Sequence, residues 1–259
     1  MEGAAHALRP APLIDIAFID IGFDDIGFDD IALIGIAGHR DRGLAHHLAM
    51  LARDGNERKD AVMTSVSIGI FLFPGVEELD WAGPWEVLRT WQQWWPDDGA
   101  TVFTVAQHEG EVECAKGLRV VPDHTWATAP PISVLVYPGG QGTRPQLGDE
   151  VVRAWVRDTA ARAALMTSVC TGALVYADAG LLDGRPATTH WASLAQLAEL
   201  GRNIDVRPDA RFVDDGEVIT AAGVSAGIDM ALHLVARLAG DDRAREVRRY
   251  IQYDPQPPV

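Results

Sequence analysis

The chain has 259 residues, of which 47% are hydrophobic and 23% charged, so it can bury a core of its own. Its 22 basic and 37 acidic residues give a formal net charge of −15, which argues against nucleic acid or an anionic membrane surface as a main partner. Two cysteines and no apolar run long enough to span a membrane favour a soluble protein of the reducing cytoplasm.

Residues 1–62 differ in pattern from the rest of the chain. A five-residue unit, IGFDD, occurs twice in tandem at 21–30, and a period of five fits neither a helix nor a strand. Three histidines of this segment lack the cysteines or carboxylates of a recognisable metal site, so we expect no bound metal there. They are His39, His46 and His47. We predict that 1–62 is a disordered or dispensable extension and that residues 63–259 form the functional domain.

From Val66 onward, apolar runs alternate with helical patterns. The runs predict buried strands at 66–73, 101–108, 133–137 and 163–169. Helical spacing predicts helices at 83–95, 149–162, 171–180, 191–200 and 225–239. A hairpin is expected over 111–126 and a short β segment over 210–223. This alternation predicts right-handed βαβ units and an α/β fold with a mainly parallel sheet between helices.

Three segments follow predicted strands, where parallel sheets bind their ligands. They are FPGVEELD, YPGGQG and SVCTG. In the last, Cys170 lies between a strand and a helix, with small residues two positions away on each side, Ser168 and Gly172. A nucleophile elbow needs this pattern, and the helix N-terminus favours thiolate over thiol. The alternative is a buried core thiol, which is our interpretation of Cys114, next to a hairpin turn.

The other two segments offer partners for such a thiol. Asp80 stands between apolar residues, a setting that raises a carboxyl pKa and suits an acid and base, although it equally fits the N-cap of the following helix. The backbone amides of Gly140 and Thr171 could bind developing negative charge, unless YPGGQG is an ordinary turn. His190 follows a short predicted strand and is a possible auxiliary base or a structural residue.

Five segments in this order resemble the ThiJ/PfpI superfamily, whose fold is of the class-I glutamine-amidotransferase type. They are FPGVEELDWAGPWEVL, LVYPGGQG, SVCTGALVYADAGLLDGRPATTHW, ITAAGVSAGIDMALHLVARLAG and IQYDPQPPV. The resemblance covers about Val66 to Val259. It implies a flavodoxin-like three-layer sandwich with a nucleophile elbow, assembled as a homodimer.

Within that superfamily, Thr171 follows Cys170 where the intracellular proteases carry a histidine, which argues against proteolysis. The segments most resemble the isonitrile hydratases, which implies Cys170 as nucleophile, Asp80 and Thr171 as its helpers, a small-molecule substrate and no metal or organic cofactor. Similar segments occur in the sensory domains of AraC-type regulators, but we expect no DNA-binding half in a chain ending YDPQPPV. The alternatives are glyoxalase or deglycase action on small aldehydes, with a larger role for His190, and a cysteine-based sensor.

Overall fold

A computed structural model describes residues 65–256 of the chain. The segment 1–62, with its three clustered histidines, lies outside these residues, so the predicted division of the chain at 62/63 stays a prediction.

The strands are short and largely apolar, and the two longest, β1 and β2, are neighbours in the sheet. They are β1 (Val66–Leu72), β2 (Ala100–Ala106), β3 (Val112–Glu113), β4 (Arg119–Val120), β5 (His124–Thr125), β6 (Val134–Tyr137), β7 (Leu165–Val169), β8 (Pro186–Ala187), β9 (Asp205–Val206), β10 (Phe212–Asp214) and β11 (Val218–Ala221). Within residues 65–256, seven strands form one sheet in the order β10-β11-β7-β6-β1-β2-β5. All neighbouring pairs are parallel except β10 and β11.

Helices cover both faces of this sheet. They are α1 (Glu78–Trp94), α2 (Glu150–Ala160), α3 (Gly172–Asp178), α4 (Leu194–Leu200), α5 (Ala226–Ala239) and α6 (Asp241–Tyr250). Helices α1, α5 and α6 contact one another, and α3 contacts both α2 and α4. The result is the predicted three-layer α/β sandwich with a mainly parallel sheet. Between residues 65 and 256, no helix has the length and apolarity needed to cross a membrane.

Helix α1 begins earlier than predicted, at Glu78 rather than at residue 83, and continues through Pro84. The helical spacing of the tryptophans over 83–95 predicts a start at residue 83. The helix extends further because apolar side chains on both sides of the proline, such as Trp81 and Trp91, pack into the core. Asp80 is thus inside the helix, so its interpretation as an N-cap is wrong.

Three elements were not predicted: β5, α6 and the two-residue strand β9, which pairs with β8. Strand β5 extends the parallel sheet at the edge beyond β2, although its residues were assigned to the hairpin region. Helix α6 was missed because its sequence, DDRAREVRRY, contributes only Val247 to the core. Contacts with α1 and α5 hold it, together with an ion pair between Arg243 and Asp98. The predicted hairpin is present as the antiparallel pair β3–β4.

Candidate active site

Cys170 occupies a sharp turn between β7 and α3, and its φ angle is +55°. Such a conformation is costly for a residue with a Cβ, by about 1–3 kcal/mol, and persists only where the surroundings fix it. The Cys170 N–H donates to the carbonyls of Ala221 (3.1 Å) and Ala222 (2.9 Å), and its own carbonyl accepts from Thr189 Oγ1 at 2.7 Å. The predicted sharp strand-to-helix turn at Cys170 is therefore confirmed.

Gly172 explains why this turn needs a small residue. A Cβ at Gly172 would lie 2.2 Å from the Tyr137 carbonyl oxygen, a distance that no real side chain tolerates. The absence of a Cβ lets the start of α3 approach the end of β6, which places the elbow next to the YPGGQG loop.

The Cys170 thiol is buried, with 6% of the residue exposed. Burial, followed by the nearby charge of Asp80, raises the pKa of this thiol to about 12. The N–H groups of Thr171 and Val224 contact the sulfur and act in the opposite direction. The expected influence of the helix N-terminus is present, because the Thr171 N–H lowers the pKa, but burial outweighs it. At neutral pH the free site holds a thiol.

Asp80, in the first turn of α1, is fully buried beside this thiol. Its Oδ2 accepts from the Gly139 N–H at 2.8 Å, whereas its Oδ1 has no hydrogen-bond partner among residues 65–256. Burial raises the pKa of the carboxyl to about 7; the Gly139 bond and the contact with Cys170 lower it, and the charge of Glu77 raises it. A group with such a pKa can both give and take a proton at neutral pH.

Thr171, the N-cap of α3, uses its hydroxyl to hold the YPGGQG loop. Thr171 Oγ1 accepts from the Gly140 N–H at 2.9 Å and lies 3.2 Å from the hydroxyl of Thr143. The Gly140 amide, offered by the sequence analysis as a donor to developing charge, is therefore already occupied by Thr171. The amides at the sulfur come instead from Thr171 and Val224.

Gly139 lies between Asp80 and Thr171, and the sequence analysis missed it. A Cβ there would lie 2.5 Å from Thr171 N, 2.7 Å from Thr171 Oγ1 and 2.8 Å from Asp80 Oδ2. Only a glycine can pass between these groups while donating its N–H to the carboxylate. The signal for Gly139 is the pair of adjacent glycines in YPGGQG. The sequence analysis chose the second of them, Gly140, as the possible donor.

Val224 is the other residue missed, in the segment between β11 and α5. It is a β-branched residue with a φ of +45°, a conformation that is a genuine outlier for this residue type. Because its N–H contacts the Cys170 sulfur, this strained turn completes the backbone donors around the thiol. No simple sequence pattern marks it.

His190 lies at the edge of the site and makes no hydrogen bond to Cys170 or Asp80 within residues 65–256. Its Nδ1 accepts from the Ala192 N–H at 3.2 Å, so a neutral ring carries its proton on Nε2. Its ring packs so closely against Gly223 that a Cβ there would lie 2.5 Å from Cδ2. In the part of the chain that the structure describes, no group of three or more His, Cys, Asp or Glu residues could hold a metal ion.

The fold and the elbow define an α/β protein with a buried cysteine at the carboxyl edge of a parallel sheet. The family model described as DJ-1/PfpI family matches residues 66–237, so the chain belongs to the DJ-1/PfpI family. It is 41% identical to an isonitrile hydratase from Pseudomonas putida over 194 residues, which are 75% of this chain and 81% of that protein.

Two further comparisons extend this result. Protein DJ-1alpha of Drosophila melanogaster is 30% identical over 73% of this chain and 84% of its own length. The crystal structure of a ThiJ/PfpI family protein from Pseudomonas syringae matches with a TM-score of 0.68 and 36% identity, over 75% of this chain and 78% of that chain. The resemblance seen in the sequence is confirmed, and the similar proteins carry different names.

Proposed function

We propose that this protein is an isonitrile hydratase, which adds water to an isonitrile and releases an N-substituted formamide. The observation that carries the proposal is the pairing of the Cys170 thiol with the Asp80 carboxyl, whose pKa of about 7 suits proton transfer in both directions. The 41% identity with an isonitrile hydratase supports the choice of substrate class.

In the first step, the Asp80 carboxylate takes the proton of the Cys170 thiol and delivers it to the terminal carbon of the isonitrile. The sulfur bonds to that same carbon, which gives a thioimidate, R–N=CH–S–Cys170. Because the thiol is neutral in the free site, thiolate forms only as the C–S bond forms, which needs a base in contact with the sulfur. The Thr171 and Val224 N–H groups stabilise the negative charge on sulfur during this transfer.

In the second step, the Asp80 carboxylate accepts a proton from water as the oxygen attacks the thioimidate carbon. The protonated Asp80 gives this proton to the nitrogen. The C–S bond then breaks, and the proton of the new hydroxyl group passes through the Asp80 carboxylate to the leaving sulfur as the formamide carbonyl forms. The sum is one isonitrile plus one water giving one formamide, with Cys170 and Asp80 restored. Only protons and one covalent bond to sulfur are exchanged, so the route calls for no metal or redox cofactor.

The test is formamide release from cyclohexyl isocyanide, followed by chromatography for the parent chain and for Cys170→Ala. We expect turnover by the parent and a loss of at least about 10³-fold in the variant, because the nucleophile is absent. Cys114→Ala is the matched control, since it removes the other buried thiol, and it should keep most of the activity.

The other outcomes separate the alternatives. No turnover of the isonitrile by the parent contradicts the proposal, and Cys170-dependent consumption of methylglyoxal instead would favour the aldehyde-directed enzyme. A sensor would show neither of these activities, but its Cys170 would be sulfenylated rapidly. The raised pKa and burial of this thiol argue against the last, because redox-sensing cysteines are exposed and of low pKa.

A further inference from the structure

The turn between β3 and β4 is docked onto the segment that leads into α1, next to Asp80. Two backbone hydrogen bonds fix it there, from the Gly75 N–H to the Glu113 carbonyl (2.9 Å) and from the Ala115 N–H to the Val76 carbonyl (2.8 Å). Because the docking uses main-chain groups, the position of the turn does not depend on the side chains at its tip.

Lys116, at the tip of this turn, faces the two carboxylates that begin α1. Its Nζ forms an ion pair with Glu77 and lies 3.7 Å from Glu78 Oε2, and its backbone N–H donates to Glu78 Oε1 at 2.6 Å. The Lys116 side chain is 66% exposed, whereas that of Glu77 is 20% exposed. The acid is thus held close to the protein, and the cation covers it from the solvent side.

Glu77 is tied to the same residue as the catalytic carboxyl. The Glu77 N–H donates to the Gly139 carbonyl at 2.9 Å, and the Gly139 N–H donates to Asp80 Oδ2 at 2.8 Å. This arrangement fixes Glu77 one turn or less from Asp80. The charge of Glu77 raises the pKa of Asp80, and the charge of Lys116 lowers it.

The charged and titratable groups that act on Asp80 within residues 65–256 come from three elements. They are Glu77 before α1, Cys170 at the elbow, and Lys116 on the turn, while the glycine loop contributes the uncharged Gly139 N–H. Arg119, on the same hairpin, pairs instead with Glu111 (3.3 Å) and Glu113 (3.4 Å). Lys116 is therefore the cation that lies next to Glu77, the carboxylate beside Asp80 and Cys170.

We propose that Lys116 is a positioning residue that acts through its ion pair with Glu77: the pair holds the Lys116 cation beside the Glu77 carboxylate at the start of α1, and the two opposite charges together set the pH at which Asp80 gives up its proton. Its consequence for catalysis rests on the function proposed above, but the protonation of Asp80 is measurable without turnover. If Lys116 had only a structural role, its substitution would leave the titration midpoint of Asp80 unchanged.

The experiment follows the Asp80 carboxyl by ¹³C NMR in the full chain labelled with ¹³C-aspartate, and the resonance is identified by its loss in Asp80→Asn. In Lys116→Met we expect the titration midpoint to rise by about half a pH unit, because the Glu77 charge is then unopposed and the exposed cation is partly screened. In Glu77→Gln the midpoint should fall. Arg119→Met should leave it unchanged, and Lys116→Arg should restore the parent value.

The double variant Lys116→Met/Glu77→Gln decides whether Lys116 acts through Glu77. If it does, Lys116→Met changes the midpoint by much less in the Glu77→Gln background than in the parent. An unchanged midpoint in Lys116→Met at low salt, or an equal shift in both backgrounds, overturns the proposal.

The pH profile of isonitrile hydration, where turnover occurs, should shift with the NMR midpoint. An NMR shift in a chain that hydrates no isonitrile supports the role of Lys116 and contradicts only the proposed function.

Discussion

The two cysteines have similarly small exposed fractions and lie in different surroundings. Cys170 is 6% exposed and Cys114 is 4% exposed, and burial is the largest cause raising the pKa of each thiol. Cys114 sits in an ordinary turn, where its N–H donates to the Leu118 carbonyl at 2.8 Å and its thiol contacts Trp81. Cys170 sits on a strained elbow opposite a buried carboxyl.

The difference teaches that burial alone does not separate a thiol in an ordinary turn from one placed beside a titratable carboxyl. What distinguishes the elbow is the set of groups around the sulfur: two backbone N–H donors, from Thr171 and Val224, and the titratable carboxyl of Asp80. The Cys114 thiol has an indole contact and the charge of Glu78, whose own Oε1 accepts from the Lys116 backbone. The elbow therefore has a titratable carboxyl in contact with its sulfur, whereas within residues 65–256 Glu78 acts on the Cys114 thiol only through its charge.

The strongest test of this contrast removes the carboxyl from the elbow. In Asp80→Asn the amide oxygen can still accept from the Gly139 N–H, but it cannot carry a proton. We expect kcat for cyclohexyl isocyanide to fall by about 10²–10⁴-fold with a smaller change in KM, measured by steady-state kinetics. A loss of less than tenfold would contradict the role of Asp80.

The same variant should change thiol reactivity in the opposite direction. The charge of Asp80 raises the pKa of Cys170, so its removal increases the thiolate fraction, and alkylation of Cys170 by iodoacetamide at pH 8 should become faster. Alkylation of Cys114, quantified by mass spectrometry of the same sample, is the internal reference and should not change.

The next test compares the regions through the pH dependence of stability. The pKa of Asp80 is raised from 3.8 to about 7 in the folded chain, so between these values the folded state binds the proton more tightly than the unfolded state. Stability from this group is therefore lost as the pH rises from 4 to 7, by an amount on the order of a few kcal/mol. Asp80→Asn should lack this loss, as measured by guanidinium unfolding at a series of pH values.

Cys114→Ala is the control for that experiment. The pKa of the Cys114 thiol is raised above 9.0 in the folded chain, so this group stays protonated in both states over pH 4–7. The difference in the free energy of unfolding between parent and Cys114→Ala should not vary with pH in this range. A parent whose stability rises from pH 4 to 7 relative to Asp80→Asn would contradict a raised pKa at Asp80.

The sequence predicted those features that neighbouring residues decide. The elbow follows from a strand, a cysteine and a helix with small flanking residues. Gly172 is one of these flanking residues, although the contact that requires a glycine there, with the Tyr137 carbonyl, is visible only in the structure. Strand and helix order followed from apolar patterns, because strands buried on both faces read as continuous apolar runs. The family resemblance then supplied Asp80 as a partner for the thiol.

The remaining features depend on segments that meet only in the folded chain. The pKa of Cys170 is set by burial among distant elements, which the position of a helix start does not reveal. Val224 reaches the sulfur from a loop more than fifty residues further along the chain. The Gly140 N–H is likewise taken up by Thr171, which lies 31 residues away in the sequence. Which of two adjacent glycines lies between Asp80 and Thr171 is likewise a matter of packing.

The smallest of these effects contrasts a glycine of the elbow region with one of the hairpin turn. In Gly139→Ala the new Cβ would meet Thr171 N at 2.5 Å and Asp80 Oδ2 at 2.8 Å, so the loop must move. In Gly117→Ala nothing lies within 4 Å, and the only cost is a φ of +90°. We expect losses of about 2–3 kcal/mol in the free energy of unfolding for the first and about 1 kcal/mol for the second.

Activity should separate the two glycine variants further than stability does. Gly139→Ala displaces the loop that donates to Asp80 and should lose turnover even at temperatures where the variant is fully folded, whereas Gly117→Ala should keep it. Denaturant unfolding and isonitrile hydration are measured on the same preparations. Full turnover in Gly139→Ala would show that the Asp80 carboxyl does not need the Gly139 N–H. The difference between Cys170 and Cys114 would then rest on Asp80 and on the N–H groups of Thr171 and Val224 alone.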